Sequence, residues 1–300
     1  MTTSIAWCNE TWNFLVGCSK ISPGCAQCYA AQAAKSARLQ EFPQYQKVEK
    51  WDGTIEFVES QILKPLKWRS PKKIFTCSMS DVFHENVLDK WRDRAFAIMA
   101  LCQQHTFQVL TKRPDIMLEY FTNPKLIDRI EEAGYEFSHN MDCLNTWPLK
   151  NVWLGVSVEN QAAADERIPL LLQTPAAIRF LSCEPLLEET NIWRSLPIRE
   201  YSGIPTTEKL LFAGINWIII GGESGSKARQ CHLGWIRSLV RQSQNSEVSV
   251  FVKQLGSNAI DSSPYIQGIA DTNYRLKLNH PKGADISEWP EDLRIQQFPN

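Results

Sequence analysis

Apolar residues along the chain gather into short runs rich in β-branched and aromatic residues. The runs are "WNFLVG" (12 to 17), "IFTCS" (74 to 78), "TFQVLT" (106 to 111), "VWLGVSV" (152 to 158), "AIRFLS" (177 to 182), "WIIIGG" (217 to 222) and "VSVFVKQ" (248 to 254). Their lengths and residue types predict a strand at each. Between them, apolar residues recur at three- and four-residue steps in "NVLDKWRDRAFAIMALCQQ" (86 to 104), "QAAADERIPLLLQT" (161 to 174) and "GWIRSLVRQSQ" (234 to 244), which predicts helices. Near-continuous apolar strands alternating with helices imply an α/β fold with a parallel sheet covered by helices.

Almost every predicted strand ends in polar residues. These ends are "SMSD" (78 to 81), "TKRP" (111 to 114), "SVEN" (157 to 160), "SCEP" (182 to 185), "GGESG" (221 to 225) and "KQ" (253 to 254). In a β/α barrel such ends converge on one mouth, where active sites sit, so a complete or partial parallel (β/α) barrel is expected over residues 1 to 256. Residues 257 to 300 hold no long periodic element and are expected to form an extension packed on the barrel.

Composition narrows the picture further. A chain of 300 residues, 43% of them hydrophobic, can bury a large core without covalent staples. A formal net charge of -1 gives no overall field that would announce a nucleic-acid or membrane partner. No basic leader with an uninterrupted apolar region and no membrane-length apolar window is present, so a cytoplasmic protein is expected. Nine cysteines in a reducing compartment argue against a disulfide framework and toward metal or catalytic chemistry where they cluster.

They cluster in "GCSKISPGCAQCYA", where Cys18, Cys25 and Cys28 form C-x6-C-x2-C directly after the first predicted strand. Gly17, Pro23 and Gly24 let this loop curl so that three sulfurs can face one point. Three thiolates from one loop suit a 4Fe-4S cluster that leaves one iron open, whereas a closed zinc site needs a fourth ligand. Cys8 and His84 are the candidates for that ligand, and unligated thiols are the third alternative. Cys77 and Cys183 fall at strand ends and read as core-packing residues.

A three-cysteine loop after the first strand of a parallel β/α barrel resembles the radical S-adenosylmethionine superfamily. That superfamily's usual spacing is C-x3-C-x2-C, and this chain has the longer first gap, with Gln27 before the third cysteine and Tyr29 after it. A closer resemblance covers nearly the whole chain. "TWNFLVGCSKISPGCAQCYA", "SMSDVFHE", "HTFQVLTKRP", "VWLGVSVEN", "LSCEPLL", "IIIGGESG", "VFVKQLG" and "KGADISEWPEDLRIQQFP" are similar, in order, to a phage and bacterial family of undefined function. Its members are placed with radical S-adenosylmethionine enzymes and often occur beside a three-Cys-motif partner protein.

The resemblance implies a barrel of the radical S-adenosylmethionine type with a 4Fe-4S cluster on Cys18, Cys25 and Cys28. It also implies an electron donor, and reductive cleavage of S-adenosylmethionine to methionine and a 5'-deoxyadenosyl radical. Ser78, Ser80 and Asp81 are then expected at the methionine amino group, and Lys112 and Arg113 at the methionine carboxylate or a substrate phosphate. Ser157, Glu159, Asn160 and Glu184 are expected at the ribose. Gly221 and Gly222 would let the adenine or the substrate approach the backbone, and Glu223 is expected at substrate contact or proton transfer. The mouth would also carry Lys20, Lys227, Arg229 and Lys253, a mixed charge that permits a nucleotide or nucleic-acid substrate. The denser basic run "KPLKWRSPKK" (64 to 73) precedes the second strand, at the opposite rim, and reads as a solvated face or partner patch. A non-enzymatic alternative stays open, in which zinc or a cluster only braces a barrel that binds a partner protein or nucleic acid.

Overall fold

The computed structural model describes residues 3–196, 214–261 and 274–299. Residues 262–273 and 300 of the expected C-terminal extension lie outside the described residues. The chain divides into two compact units, one of residues 1–156 and 173–178, the other of residues 157–172 and 179–300.

In the first unit, strands β1 (Glu10–Trp12), β4 (Lys73–Thr76), β5 (Thr106–Thr111) and β6 (Val152–Ser157) pair in parallel. The register sets Thr11 beside Phe75, Phe75 beside Gln108 and Val109 beside Leu154. In the second unit, β7 (Ile178–Cys183), β8 (Trp217–Gly221) and β9 (Ser249–Gln254) are also parallel, with Leu181 beside Ile218 and Ile218 beside Val250. Within each unit these strands neighbour one another in chain order, the single winding of a β/α barrel segment. Their near-complete burial matches the continuous apolar runs that predicted them.

All the predicted strands are present, and the helices fall at Asp89–Leu101, Gln161–Gln173 and Leu233–Asn245. One strand differs from its prediction. The run 12 to 17 breaks because the Asn13 side chain accepts from the Ser78 hydroxyl and the Met79 amide, at 3.1 and 3.3 Å. After the break, β2 (Leu15–Val16) pairs antiparallel with β3 (Glu56–Phe57), away from the parallel strands. The helix predicted from 86 begins only at Asp89 because the buried Arg92 donates back to the carbonyls of Val82 and His84, both at 2.9 Å. Those bonds fix residues 82 to 87 as a loop.

The described part of the C-terminal extension belongs to the second unit. The Val252 amide donates to Ile295 O at 2.8 Å, Gln297 N to Val250 O at 2.9 Å and the Trp217 indole to Gln297 O at 2.8 Å. Trp289 and Leu293 are buried there, so the extension covers the free edge of β9. No helix among the described residues is long and apolar enough to cross a membrane.

A small apolar cluster of Val16, Ala34, Tyr45, Val48, Trp51 and Met79 lies under the cysteine loop. Gly17 turns the chain from β2 into that loop at a φ of 95°. A Cβ there would lie 2.1 Å from Thr54 O and 2.8 Å from Val48 Cγ1, so strain and clash coincide. Gly17→Ala is expected to destabilise the first unit by about 3 kcal/mol, read from urea unfolding, because it combines a disfavoured φ with overpacking against backbone. A loss within experimental error would mean that the loop leaves β2 along another path.

Candidate metal and cofactor site

The cysteine loop runs from Gly17 to the start of helix Tyr29–Ala34. A single 3-10 turn, Pro23–Cys25, folds its middle, and Cys28 stands immediately before the helix. Gly53 N donates to Cys18 O at 3.2 Å and Cys28 N to Cys25 O at 3.3 Å, which fixes the loop's backbone at both ends. Cys18 and Cys28 pack on the same small apolar cluster. As they stand, no three His, Cys, Asp or Glu side chains among the described residues are gathered into a group that could hold a metal ion. In donor chemistry the loop still fits a three-thiolate set, since all three sulfurs come from one short segment.

Burial, followed by the charge of Asp81, pushes the Cys18 thiol up to about 12. The charge and hydrogen bond of Arg113 pull the other way, and Cys25 adds to the rise, so these two thiols sense each other. Cys25 behaves differently. Burial raises it, but the Ile21 backbone bond, the Lys112 charge and bonds from Ser22 outweigh burial and hold it below the ordinary thiol value of 9.0.

Asp81 and Arg113 are the centre of this region, and both are buried. The Asp81 carboxylate accepts from Phe83 N at 2.9 Å and Thr111 Oγ1 at 2.7 Å on one oxygen. On the other it accepts from Lys112 N at 3.0 Å and Arg113 Nη1 at 3.2 Å. A carboxylate with four donors has no capacity left for a ligand amine. Arg113 in turn donates to Glu85 at 2.6 Å, to Ser19 Oγ at 2.8 Å and, at 3.8 Å, to the Cys18 sulfur. The structure therefore brings Cys18, Asp81 and Arg113 together, and the guanidinium is spent on the cysteine loop. Of the two serines beside Asp81, Ser80 donates to Gly17 O at 2.7 Å and Ser78 to Asn13 at 3.1 Å.

Three residues of the site were not singled out as cofactor contacts by sequence reasoning: Ser19, Glu85 and Arg92. For Glu85 the signal was the string "SMSDVFHE", polar at 78, 80, 81, 84 and 85, of which Ser78, Ser80 and Asp81 were assigned to the cofactor. His84, weighed as a fourth zinc ligand, is fully buried and bonded on both ring nitrogens. Asn86 N donates to Nδ1 at 3.1 Å, so the proton lies on Nε2, which donates to Ser19 Oγ at 2.9 Å. Cys8, the other candidate, precedes β1, where Asn9 N donates to Lys73 O. That is the entry end of β1 and β4, whereas Cys18 contacts residues beyond the exits of β4 and β5. The basic run lies at the same entry end: Lys72 pairs with Glu10 at 3.5 Å.

In the second unit, each candidate carboxylate has a cationic partner. Glu159 bonds the buried Arg167 at 2.8 Å, and the same guanidinium nitrogen donates to Ser157 O at 2.9 Å. Glu184 takes both bonds of Lys253, at 2.6 and 2.8 Å. Glu223 forms a fork with Arg229, through Nε at 2.9 Å and Nη2 at 2.5 Å. Burial raises the Glu223 carboxyl, but the Arg229 bonds and charge outweigh it and hold it below the ordinary value, so at neutral pH it has no proton to give. Asn160 caps helix Gln161–Gln173, its side chain accepting from Ala163 N at 2.9 Å. The two glycines serve clearance: a Cβ at Gly221 would lie 3.2 Å from Glu184 Cδ, and one at Gly222 would lie 2.2 Å from Leu255 O.

A family model described as "Protein of unknown function (DUF5131)" matches residues 2–284 of the chain. No curated protein and no solved structure matches it.

Two measurements follow from this geometry. Arg113→Met strands the buried Asp81 carboxylate and should cost about 3 kcal/mol of stability by denaturant titration, with part regained in the Arg113→Met, Asp81→Asn double variant. Additive losses would show that the two are not coupled. The second concerns His84. Burial, then the charge of Arg113, with Arg92 adding to them, holds its ring below 6.5, while Glu85 and Asp81 pull upward. Below pH 6.5 the unfolded chain takes up a proton that the folded chain refuses. Stability present above that pH is therefore lost as pH falls toward the folded value, by at most about 1.4 kcal/mol per pH unit for one group. His84→Gln, which keeps a donor toward Ser19, should flatten the loss between pH 6.5 and 5, leaving the share of the similarly buried His105. An unchanged slope would remove His84 from the acid response.

Proposed function

We propose, taking as premise that the chain belongs to the DUF5131 family, that it is a radical S-adenosylmethionine enzyme whose cluster is held by Cys18, Cys25 and Cys28. In this reading the parallel α/β fold is a partial barrel of that enzyme type. One observation carries the proposal: neither candidate for a fourth ligand is free to join the loop. Cys8 sits at the entry end of β1, and both ring nitrogens of His84 are bonded. Three thiolates without a fourth are the donor set of a 4Fe-4S cluster with one open iron. Bound there, the cluster supplies the electron and the open coordination position for reductive cleavage of S-adenosylmethionine.

The chain's own residues have definite tasks in this reading. Arg113 orients the Cys18 sulfur and offsets the charge that appears there when its proton leaves. Lys112 favours the Cys25 thiolate. Because burial holds the Cys18 proton so tightly, ligation at that sulfur releases a proton and is favoured as pH rises. Asp81 acts through Arg113 and Thr111, with its own acceptor sites filled. The ion pairs Glu184–Lys253 and Glu223–Arg229 are polar groups at strand exits of the second unit, suited to orienting a nucleotide-like ligand by exchange of partners. A nucleotide or nucleic-acid substrate is the class consistent with that mixed charge.

The pairing of these carboxylates favours a second reading, a fold braced by metal in the cysteine loop that binds a partner without chemistry. One experiment separates the two. Protein reconstituted anaerobically with iron and sulfide should carry about four iron atoms per chain. Cys18→Ala, Cys25→Ala and Cys28→Ala should each abolish loading, and Cys8→Ala should retain it. With dithionite, the loaded protein should release 5'-deoxyadenosine and methionine from S-adenosylmethionine. Stoichiometric zinc without iron uptake, or methylthioadenosine as the main product, would overturn the proposal.

A further inference from the structure

Beside the cysteine loop, within the first unit, lies an open depression of about 190 Å³. Lys20, Lys35 and Lys50 line it together with Cys28, Gln32 and Trp51, and no carboxylate does. Among the described residues, neither Lys35 nor Lys50 lies within ion-pair distance of an acidic group. The charge of Lys50 is felt by its neighbour Asp52, which is tied to Thr54. Lys20 bonds the loop carbonyl of Ala26 at 3.3 Å, which anchors its ammonium over the loop. Trp51 forms a buried wall and holds a φ of 54°, a conformation that a large side chain rarely adopts. Ile21 and Tyr29, the chain neighbours of the lining residues Lys20 and Cys28, are 45% and 56% exposed, so the loop that supplies the lining also carries apolar surface.

Its place differs from that of the basic run at Lys64 and Lys67, which lies at the entry end of β4 and away from the cysteine loop. Three ammoniums in a lining that holds no carboxylate recognise a carboxylate-rich surface by charge complementarity. Exposed apolar and aromatic groups on the segment that supplies such a lining are the pattern of a protein interface.

We infer that the depression lined by Lys20, Lys35, Lys50 and Cys28 is the docking site of an acidic one-electron carrier protein. This rests on the reading that Cys28 is a cluster ligand, because a carrier seated on these lysines lies directly against that residue. The step is a single electron transfer: the reduced carrier, a flavin or iron–sulfur protein, loses one electron and the cluster gains it. No bond is made or broken, and no proton need move.

Docking is testable without the cluster. An acidic flavodoxin serves as the probe, titrated calorimetrically into metal-free chain at low and at physiological salt. Binding should weaken with salt. Lys35→Glu with Lys50→Glu should weaken it at least about tenfold, Lys35→Arg with Lys50→Arg should retain it, and Lys64→Glu with Lys67→Glu should leave it unchanged. Carbodiimide should couple flavodoxin carboxylates to Lys35 or Lys50. In the iron-loaded protein, the Lys35→Glu, Lys50→Glu variant should bleach slowly with reduced flavodoxin and at the wild-type rate with dithionite. Flavodoxin binding that ignores the Lys35 and Lys50 reversals, or is lost with Lys64 and Lys67 instead, overturns the docking site. Failure of dithionite to bleach any form overturns the cluster reading and, with it, the role of the docked protein as an electron carrier.

Discussion

The buried pair of Asp81 and Arg113 is the constraint on which the first unit's site depends. Asp81 gathers donors from its own loop, from Thr111 at the end of β5 and from the two residues after it. It thereby locks the exits of β4 and β5 to each other. Arg113, neutralised by that carboxylate, extends to Ser19, Glu85 and the Cys18 sulfur. A guanidinium is suited to this because its donors form a rigid planar fork that can serve several acceptors at once. Without the carboxylate it would be left to the half-exposed Glu85; without the guanidinium, Cys18 would be left to burial and a negative neighbour.

The two units treat charge in contrasting ways. At the strand exits of the second unit, Glu159, Glu184 and Glu223 are each joined to one cation of the same unit, so the local charge is balanced pair by pair. In the first unit, the same kind of pair is coupled to a thiol whose own ionisation is held back. Chemistry that needs a group to change its charge state is therefore concentrated in the cysteine loop. The depression beside it is lined by three lysines and by no carboxylate, which turns that side of the loop toward acidic partners.

Much of this was legible in the sequence. The apolar runs located the parallel strands, since strands buried on both faces leave continuous apolar words, and Asn13 is the one position where a side-chain bond cut such a word short. The cysteine spacing and the polar strand exits located the residues that the first unit gathers. Partners were not legible, because they are set by contacts distant in the chain. Arg113 read as a ligand for an external anion and is turned inward by Asp81, Glu85 and Ser19, which lie 32, 28 and 94 residues away. Glu223 read as a proton carrier and is forked to Arg229, only six residues on, where Gly225 at a φ of 111° lets the chain turn back in a way the spacing does not show. Gly221 and Gly222 read as ligand clearance, and the space they leave is taken by Glu184 and the Leu255 carbonyl. The apolar platform under the loop joins short segments with no common period, so no window of sequence displays it.

The central claim, that the loop of Cys18, Cys25 and Cys28 carries a cluster with an iron open to S-adenosylmethionine, is met most directly by electron paramagnetic resonance of the reconstituted, dithionite-reduced protein. The account predicts the signal of a reduced 4Fe-4S cluster whose g values shift when S-adenosylmethionine is added, because the cofactor enters the open coordination position. A spectrum indifferent to S-adenosylmethionine, or a protein silent because it binds only zinc, would contradict it.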